Sequence, residues 1–218
     1  IFHSNEITIK IPGKGNLYIV FQSFYKEPDL IYLNNDFGNP YSRGNRIINI
    51  QENGQTVNTI KLVWYQKLNS LSLIFAEFSN LLEVDLSNLD TSSVNNMNYM
   101  FYNCQNLNSL NLANLNTSLV ESMSSMFYNC TSFVELDLSS FDTSKVKDML
   151  SMFSLCGKLK KLDLSNFNTS NVQTMLEMFY GCGAMTSLNV SNFDTSKVTT
   201  MHNMFAFFEN LEKLDLSS

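Results

Sequence analysis

The sequence predicts an α/β solenoid, a parallel sheet with short helices opposite it, behind a small N-terminal β cap. Two observations carry the prediction. Phenylalanine recurs at Phe75, Phe101, Phe127, Phe153, Phe179 and Phe205, each 26 residues after the last, and a fixed period of this size marks a repeat architecture. Within each period, an apolar-polar-apolar alternation of strand type is followed by an apolar spacing of helix type. The expected division is a β-rich cap at 1–59 and about six repeats over 60–218.

In the cap, Ile7, Ile9 and Ile11 alternate with Glu6, Thr8 and Lys10, predicting a strand that ends at the Pro12-Gly13-Lys14-Gly15 turn, with 17–21 as its hairpin partner. Ile31-Tyr32-Leu33 predicts a shorter strand, and 34–44, rich in Asn and Gly, a loop. Residues 47–50 and 56–60 flank Asn53-Gly54 and predict a second hairpin. A first coil exposes core on its outer side, so an atypical cap is expected there. Thr59-Ile60-Lys61-Leu62-Val63-Trp64 reads as a degenerate repeat strand, placing the junction near residue 60. Leu68, Leu71, Ile74 and Phe75 stand where later units carry Val, Met, Met and Phe, and Trp64 is expected to pack between cap and first coil.

In the repeats, Leu110-Asn111-Leu112, Leu136-Asp137-Leu138, Leu162-Asp163-Leu164, Leu188-Asn189-Val190 and Leu214-Asp215-Leu216 predict one strand per unit. A turn such as 139–144 follows, its small polar residues suited to an N-cap. Val146, Met149, Met152 and Phe153 then share one helical face, and Asn103, Asn129 and Gly181 stand where a left-handed residue would end the helix. One unit cannot bury its own apolar face, and stacked copies can. Strand-and-helix units of this length carrying L-x-x-L-x-L define the leucine-rich-repeat class.

The pattern LxxLDLSxFDTSxVxxMxxMFxxC also resembles the repeat of the BspA-like leucine-rich-repeat surface proteins of bacteria and some unicellular eukaryotes. Residues 162–179 match it almost position by position, and the resemblance covers about two thirds of the chain. It implies a surface-exposed, non-enzymatic protein associated with adhesion and names no ligand.

An apolar share of 44% with 12% aromatic residues supplies ample core. A net charge of −6, with no run of Lys or Arg, argues against nucleic acid and anionic membranes as partners. No apolar stretch approaches the roughly 18 residues of a membrane span, and none resembles a signal peptide. The chain begins at Ile1 rather than Met, which fits a removed leader or a fragment. Cys104, Cys130, Cys156 and Cys182 fall in the repeat register and are expected as buried free thiols, because neighbouring strands hold Cβ atoms too far apart and too parallel for disulfides. Ten of the eleven methionines occupy the inward columns and read as core filling.

No catalytic constellation is present: His3 lies at the N-terminus, His202 at an exposed position, and no phosphate loop, serine elbow or zinc helix occurs. No enzyme, cofactor or metal is expected. The strand face is the candidate site. Asp85, Asn111, Asp137, Asp163, Asn189 and Asp215 lie between buried neighbours and face outward. Two residues before each, the type drifts: Glu83, Ser109, Glu135, Lys161, Ser187, Lys213. The candidate binding set is Glu83, Asp85, Asn111, Glu135, Asp137, Lys161, Asp163, Asn189, Lys213 and Asp215. The Asp/Asn column also admits a purely structural ladder. Stacked carboxylates, as in Asp137 and Asp163, are expected to raise each other's pKa unless Asn, Lys or a cation intervenes, and the spacing of a calcium loop is missing. A second column, Asp90, Asn116, Asp142, Asn168 and Asp194, is expected to cap backbone N–H groups. Of the sequons at Asn116, Asn129, Asn168 and Asn189, the first and third belong to that column, which leaves Asn129 and Asn189 as glycan acceptors.

The expected function is extracellular or cell-surface recognition, adhesion to a host or environmental protein or glycan through the strand face. The alternative is a structural subunit of a surface layer or filament. A final coil showing Leu211, Leu214 and Leu216 is expected to be covered, by further repeats or by head-to-tail self-association.

Overall fold

The computed structural model describes residues 5–13, 17–20, 26–34, 36, 47–50 and 56–217, and among them every regular element is a strand. Successive 26-residue units are joined by parallel bridges running through Ser70, Asn96, Ser122, Asp148, Thr174 and Thr200. The six phenylalanines stack along the same direction, with ring centroids 5.6, 5.6, 5.7, 5.7 and 6.0 Å apart.

This overturns the expected α/β leucine-rich-repeat solenoid. No helix forms among the described residues, and the segments that carry the helical spacing are chains of turns. Two residues per unit, four apart, take left-handed φ: Tyr99 and Asn103 at 57° and 59°, Ser125 and Asn129 at 53° and 56°, Ser151 and Leu155 at 51° and 60°, Glu177 and Gly181 at 56° and 71°. A right-handed helix cannot run through such residues. The amides alternate in direction as well. Those of Met100, Tyr102 and Cys104 donate to carbonyls three residues back, whereas those of Tyr99, Phe101 and Asn103 donate to Ser124, Met126 and Tyr128 of the next unit.

The physical reason is spacing. A helix with its side chains is about 10 Å across, and these units stack at the distance of two phenyl rings, 5.6 Å. Turns release every second N–H for the neighbouring unit, which a helix would keep for itself. The spacing of Val146, Met149, Met152 and Phe153 suits successive three-residue turns as well as a helix, so all four are buried in either case. One methionine departs from its column: Met201 is 45% exposed.

The sheet is mixed rather than parallel. β1 (Asn5–Pro12) lies between β5 (Val57–Trp64) and β6 (Glu83–Asp85), antiparallel to both, with Ile9 opposite Ile60 on one side and Val84 on the other. β3 (Leu30–Leu33) covers the other edge of β5, and β7 (Ser109–Asn111) pairs parallel with β6, giving the order β3-β5-β1-β6-β7. β2 (Leu17–Val20) pairs with β4 (Ile47–Ile50), and β8 (Ser187–Asn189) pairs parallel with β9 (Lys213–Asp215).

Neither expected hairpin forms: β1 does not pair with 17–20, and β4 does not pair with β5. Asn53-Gly54, Lys14, Gly15 and most of 34–44 lie outside the described residues. Burial decides the partner of β1. Ile7, Ile9 and Ile11 are fully buried between β5 and the repeats, each side chain worth roughly 1.5–3 kcal/mol, and a lone two-stranded hairpin would leave one face wet. Trp64 is buried in this region and donates its indole N–H to the carbonyl of Lys26 at 3.2 Å. The core runs on from there without a break through Val120, Met123, Met126, Phe127 and Cys130 and their counterparts.

Candidate functional site

On the strand face, Ser109, Glu135, Lys161, Ser187 and Lys213 are exposed and Glu83 is half-buried. The six are not equivalent. Glu83 is held by Lys10 of β1 at 2.7 Å, so the cap has taken its charge. Glu135, Lys161 and Lys213 form no ion pair among the described residues. Glu135 and Lys161 occupy neighbouring units joined by a parallel bridge, and with Asp137, Ser139, Asp163 and Asn166 they line a concavity of about 470 Å³.

The adjacent Asp/Asn column is committed internally. Each side-chain Oδ1 accepts the backbone N–H two residues on: Asp85 from Ser87 at 2.9 Å, Asn111 from Ala113 at 3.2 Å, Asp137 from Ser139 at 2.9 Å, Asp163 from Ser165 at 2.9 Å, Asn189 from Ser191 at 2.9 Å, Asp215 from Ser217 at 3.1 Å. These bonds close the turn after the strand. They also reverse the expected pKa direction. The side chain and backbone N–H of Ser139 hold the Asp137 carboxyl below its usual range, and the backbone N–H and side chain of Ser165 do the same for Asp163. Donors in contact outweigh repulsion between carboxylates that water screens.

The second column behaves alike, with Asp142 accepting from Ser144 N–H at 2.9 Å and Asn168 from Ser170 N–H at 3.0 Å. It caps turns, not helices. Beside it runs a ladder that sequence reasoning missed. The buried hydroxyls of Thr117 and Thr143 donate to the carbonyls of Asp142 and Asn168 at 2.9 Å and accept the N–H groups of the same residues at 2.7 and 2.8 Å. The signal was present in the recurring Thr-Ser pair, read only as turn chemistry. The four thiols are free and buried, each donating to a phenylalanine carbonyl 29 residues earlier, as Cys130 does to Phe101 at 3.1 Å. Burial pushes the Cys182 thiol up to about 12.

Of the two expected glycan acceptors, Asn189 is exposed, whereas Asn129 is half-buried and its Nδ2 donates to Asn103 Oδ1 at 2.8 Å. A glycan on Asn129 would have to leave by the second Nδ2 hydrogen, the first being held by Asn103. His202 is exposed and His3 lies outside the described residues. Among the described residues no group of His, Cys, Asp and Glu is placed to hold a metal ion, and no helix is long and apolar enough to cross a membrane.

The strand face also carries two seams, which no sequence pattern announced. Units are bonded where Asn108 N–H meets Leu82 O at 3.1 Å, Lys160 N–H meets Val134 O at 2.9 Å and Glu212 N–H meets Thr186 O at 2.9 Å. Among the described residues no backbone hydrogen bond joins 108–112 to 134–138, nor 160–164 to 186–190. The first seam opens into a hollow of about 330 Å³ lined by Leu110, Asn111, Leu112, Asp137 and Ser140 among others.

A family model described as "Mycoplasma protein of unknown function, DUF285" fits residues 49–162 and again 109–218. No curated protein and no solved structure matches the chain.

Proposed function

Because the chain belongs to the DUF285 family, whose description leaves function open, its function has to be argued from its own surface, and we propose that it is a non-enzymatic recognition protein. It acts outside the cell or at the cell surface and adheres to a protein or glycan through the strand face. The observation that supports this is the contrast between adjacent columns. Each Asp or Asn of the column commits its Oδ1 to its own turn, whereas Glu135, Lys161 and Lys213 project charges that form no ion pair among the described residues. Exposed charge of varied sign on a rigid repeat scaffold selects a partner by complementarity. Asp85, Asn111, Asp137, Asp163, Asn189 and Asp215 keep the turns that hold these side chains in register.

The test is capture of a partner from the native surface by the protein and by its Glu135→Lys/Lys161→Glu variant. Loss of capture with an unchanged unfolding midpoint supports the reading. Equal capture by both moves the site off the strand face, and assembly of both into the same particles favours a structural subunit.

A further inference from the structure

We propose that the seam between β7 and residues 135–137 receives an extended peptide of the partner, with an alternating apolar pattern and one basic side chain, paired on both sides as an inserted strand. The inference rests on the reading of the strand face as the binding surface and says what form the partner takes there.

The molecule already contains such an insertion. β5 and β6 stand where successive repeat strands would pair, and β1 lies between them, antiparallel to each. The turn side of the same two units stays at ordinary spacing, with Ser70 bridged to Asn96 and Phe75 stacked on Phe101 at 5.6 Å. A unit can therefore open by one strand on this face without coming apart on the other.

On one flank the residues along the seam repeat the chemistry of those along β1. Glu83-Val84-Asp85 lie along one side of β1, and Glu135-Leu136-Asp137 lie along the seam. Thr59-Ile60-Lys61 on the other side correspond to Ser109-Leu110-Asn111, a neutral Asn standing where Lys61 pairs with Glu6 of β1. In β1 the middle isoleucine sits between Ile60 and Val84, and Lys10 pairs with Glu83 at 2.7 Å. In the seam, the equivalent apolar side chain lies between Leu110 and Leu136, both half-buried. The equivalent base meets Glu135, which has no ion partner among the described residues. The second seam is flanked by Lys161 instead and repels such a strand.

Entry has a cost at the seam's ends. Thr131 and Ser132 hydroxyls donate to Gln105 O at 3.2 and 2.7 Å, and Ser140 Oγ donates to Leu112 O at 3.0 Å. These are single neutral bonds to accessible side chains, and an inserted strand returns backbone bonds to both neighbours.

The experiment uses the whole chain and a labelled synthetic peptide of β1 sequence, NEITIKIP, as probe. A strand paired on both sides uses every N–H, one alternate set toward each neighbour. The expected result is one saturable site, weakened about tenfold by N-methylation of either alternate set of peptide amides. Glu135→Lys weakens it comparably, and exchanging the peptide lysine for glutamate restores it. A photoreactive group replacing the middle isoleucine should label Leu110 and Leu136. Sensitivity to only one N-methyl set means edge docking and overturns insertion. Labelling at Ile60 or Val84 means displacement of β1 and overturns the site, as does absence of saturable binding. If the peptide fails while Glu135→Lys/Lys161→Glu still abolishes capture of a native partner, the insertion falls and the strand-face reading stands.

Discussion

On the turn side the units pair without interruption through Ser70, Asn96, Ser122, Asp148, Thr174 and Thr200, whereas on the strand side pairing holds between β6 and β7 and between β8 and β9 and lapses on both sides of the bridge from Glu135 to Lys161. Beside these varied bridge residues the turn side carries buried columns of one residue type, phenylalanine on phenylalanine and threonine on threonine, which repeat the same contact from unit to unit. On the strand side the exposed position two before the Asp/Asn column drifts from unit to unit. Order is thus kept where side chains repeat, and the variable surface lies where backbone pairing is weakest. Recognition placed there can change without disturbing the stack.

The largest effect that separates the two sides is expected from Phe127→Ala. Phe127 is fully buried between Phe101 and Phe153, and its loss should cost about 3–5 kcal/mol. Leu136→Ala, half-buried on the strand side, should cost less than about 2 kcal/mol. Urea unfolding midpoints check both, and equal losses would break the comparison.

Thr143→Val comes next, because it leaves the N–H and C=O of Asn168 without the hydroxyl that serves both, at about 1–3 kcal/mol. Ser140→Ala removes one donor to Leu112 and should cost at most about 1 kcal/mol by the same measurement.

Gly181→Ala should cost about 1–2 kcal/mol, since Gly181 has φ +71° and an added Cβ would stand 2.8 Å from Leu155 Cδ2. Gly157→Ala, with nothing within 4 Å of the added carbon, should stay within about 0.5 kcal/mol of the parent in thermal unfolding.

The smallest effect is in pH. The hydrogen bond from Lys67, followed by those of Ser92, lowers the Asp90 carboxyl from 3.8 to about 2. A depressed carboxylate stabilises the fold above its unfolded pKa, and that contribution fades as pH falls from 3.8 toward about 2. Asp90→Asn should flatten the unfolding midpoint against pH in that window alone. An unchanged slope would show that the Lys67 contact does not persist in solution.

Much of the core was legible in the chain. Spacing alone places the columns of Val, Met, Phe and Cys inward, and apart from Met201 the structure buries those of the inner units. The secondary structure of the same segments is not legible there, because Met-x-x-Met-Phe-x-x-Cys fits a helix and a run of turns equally. The candidate site divides similarly. Outward placement of Glu135 and Lys161 follows from strand alternation, but the capture of Glu83 by Lys10 depends on β1 lying beside β6.

What the sequence determined by itself is the 26-residue register and the face on which each repeated residue lies, because both follow from local periodicity. Tertiary structure alone decided between helix and turn, the partners of β1 and the position of the seams. Those choices rest on which unit supplies the carbonyl for a given N–H, and on how closely neighbouring phenyl rings let two units approach. Neither quantity is encoded within a single unit.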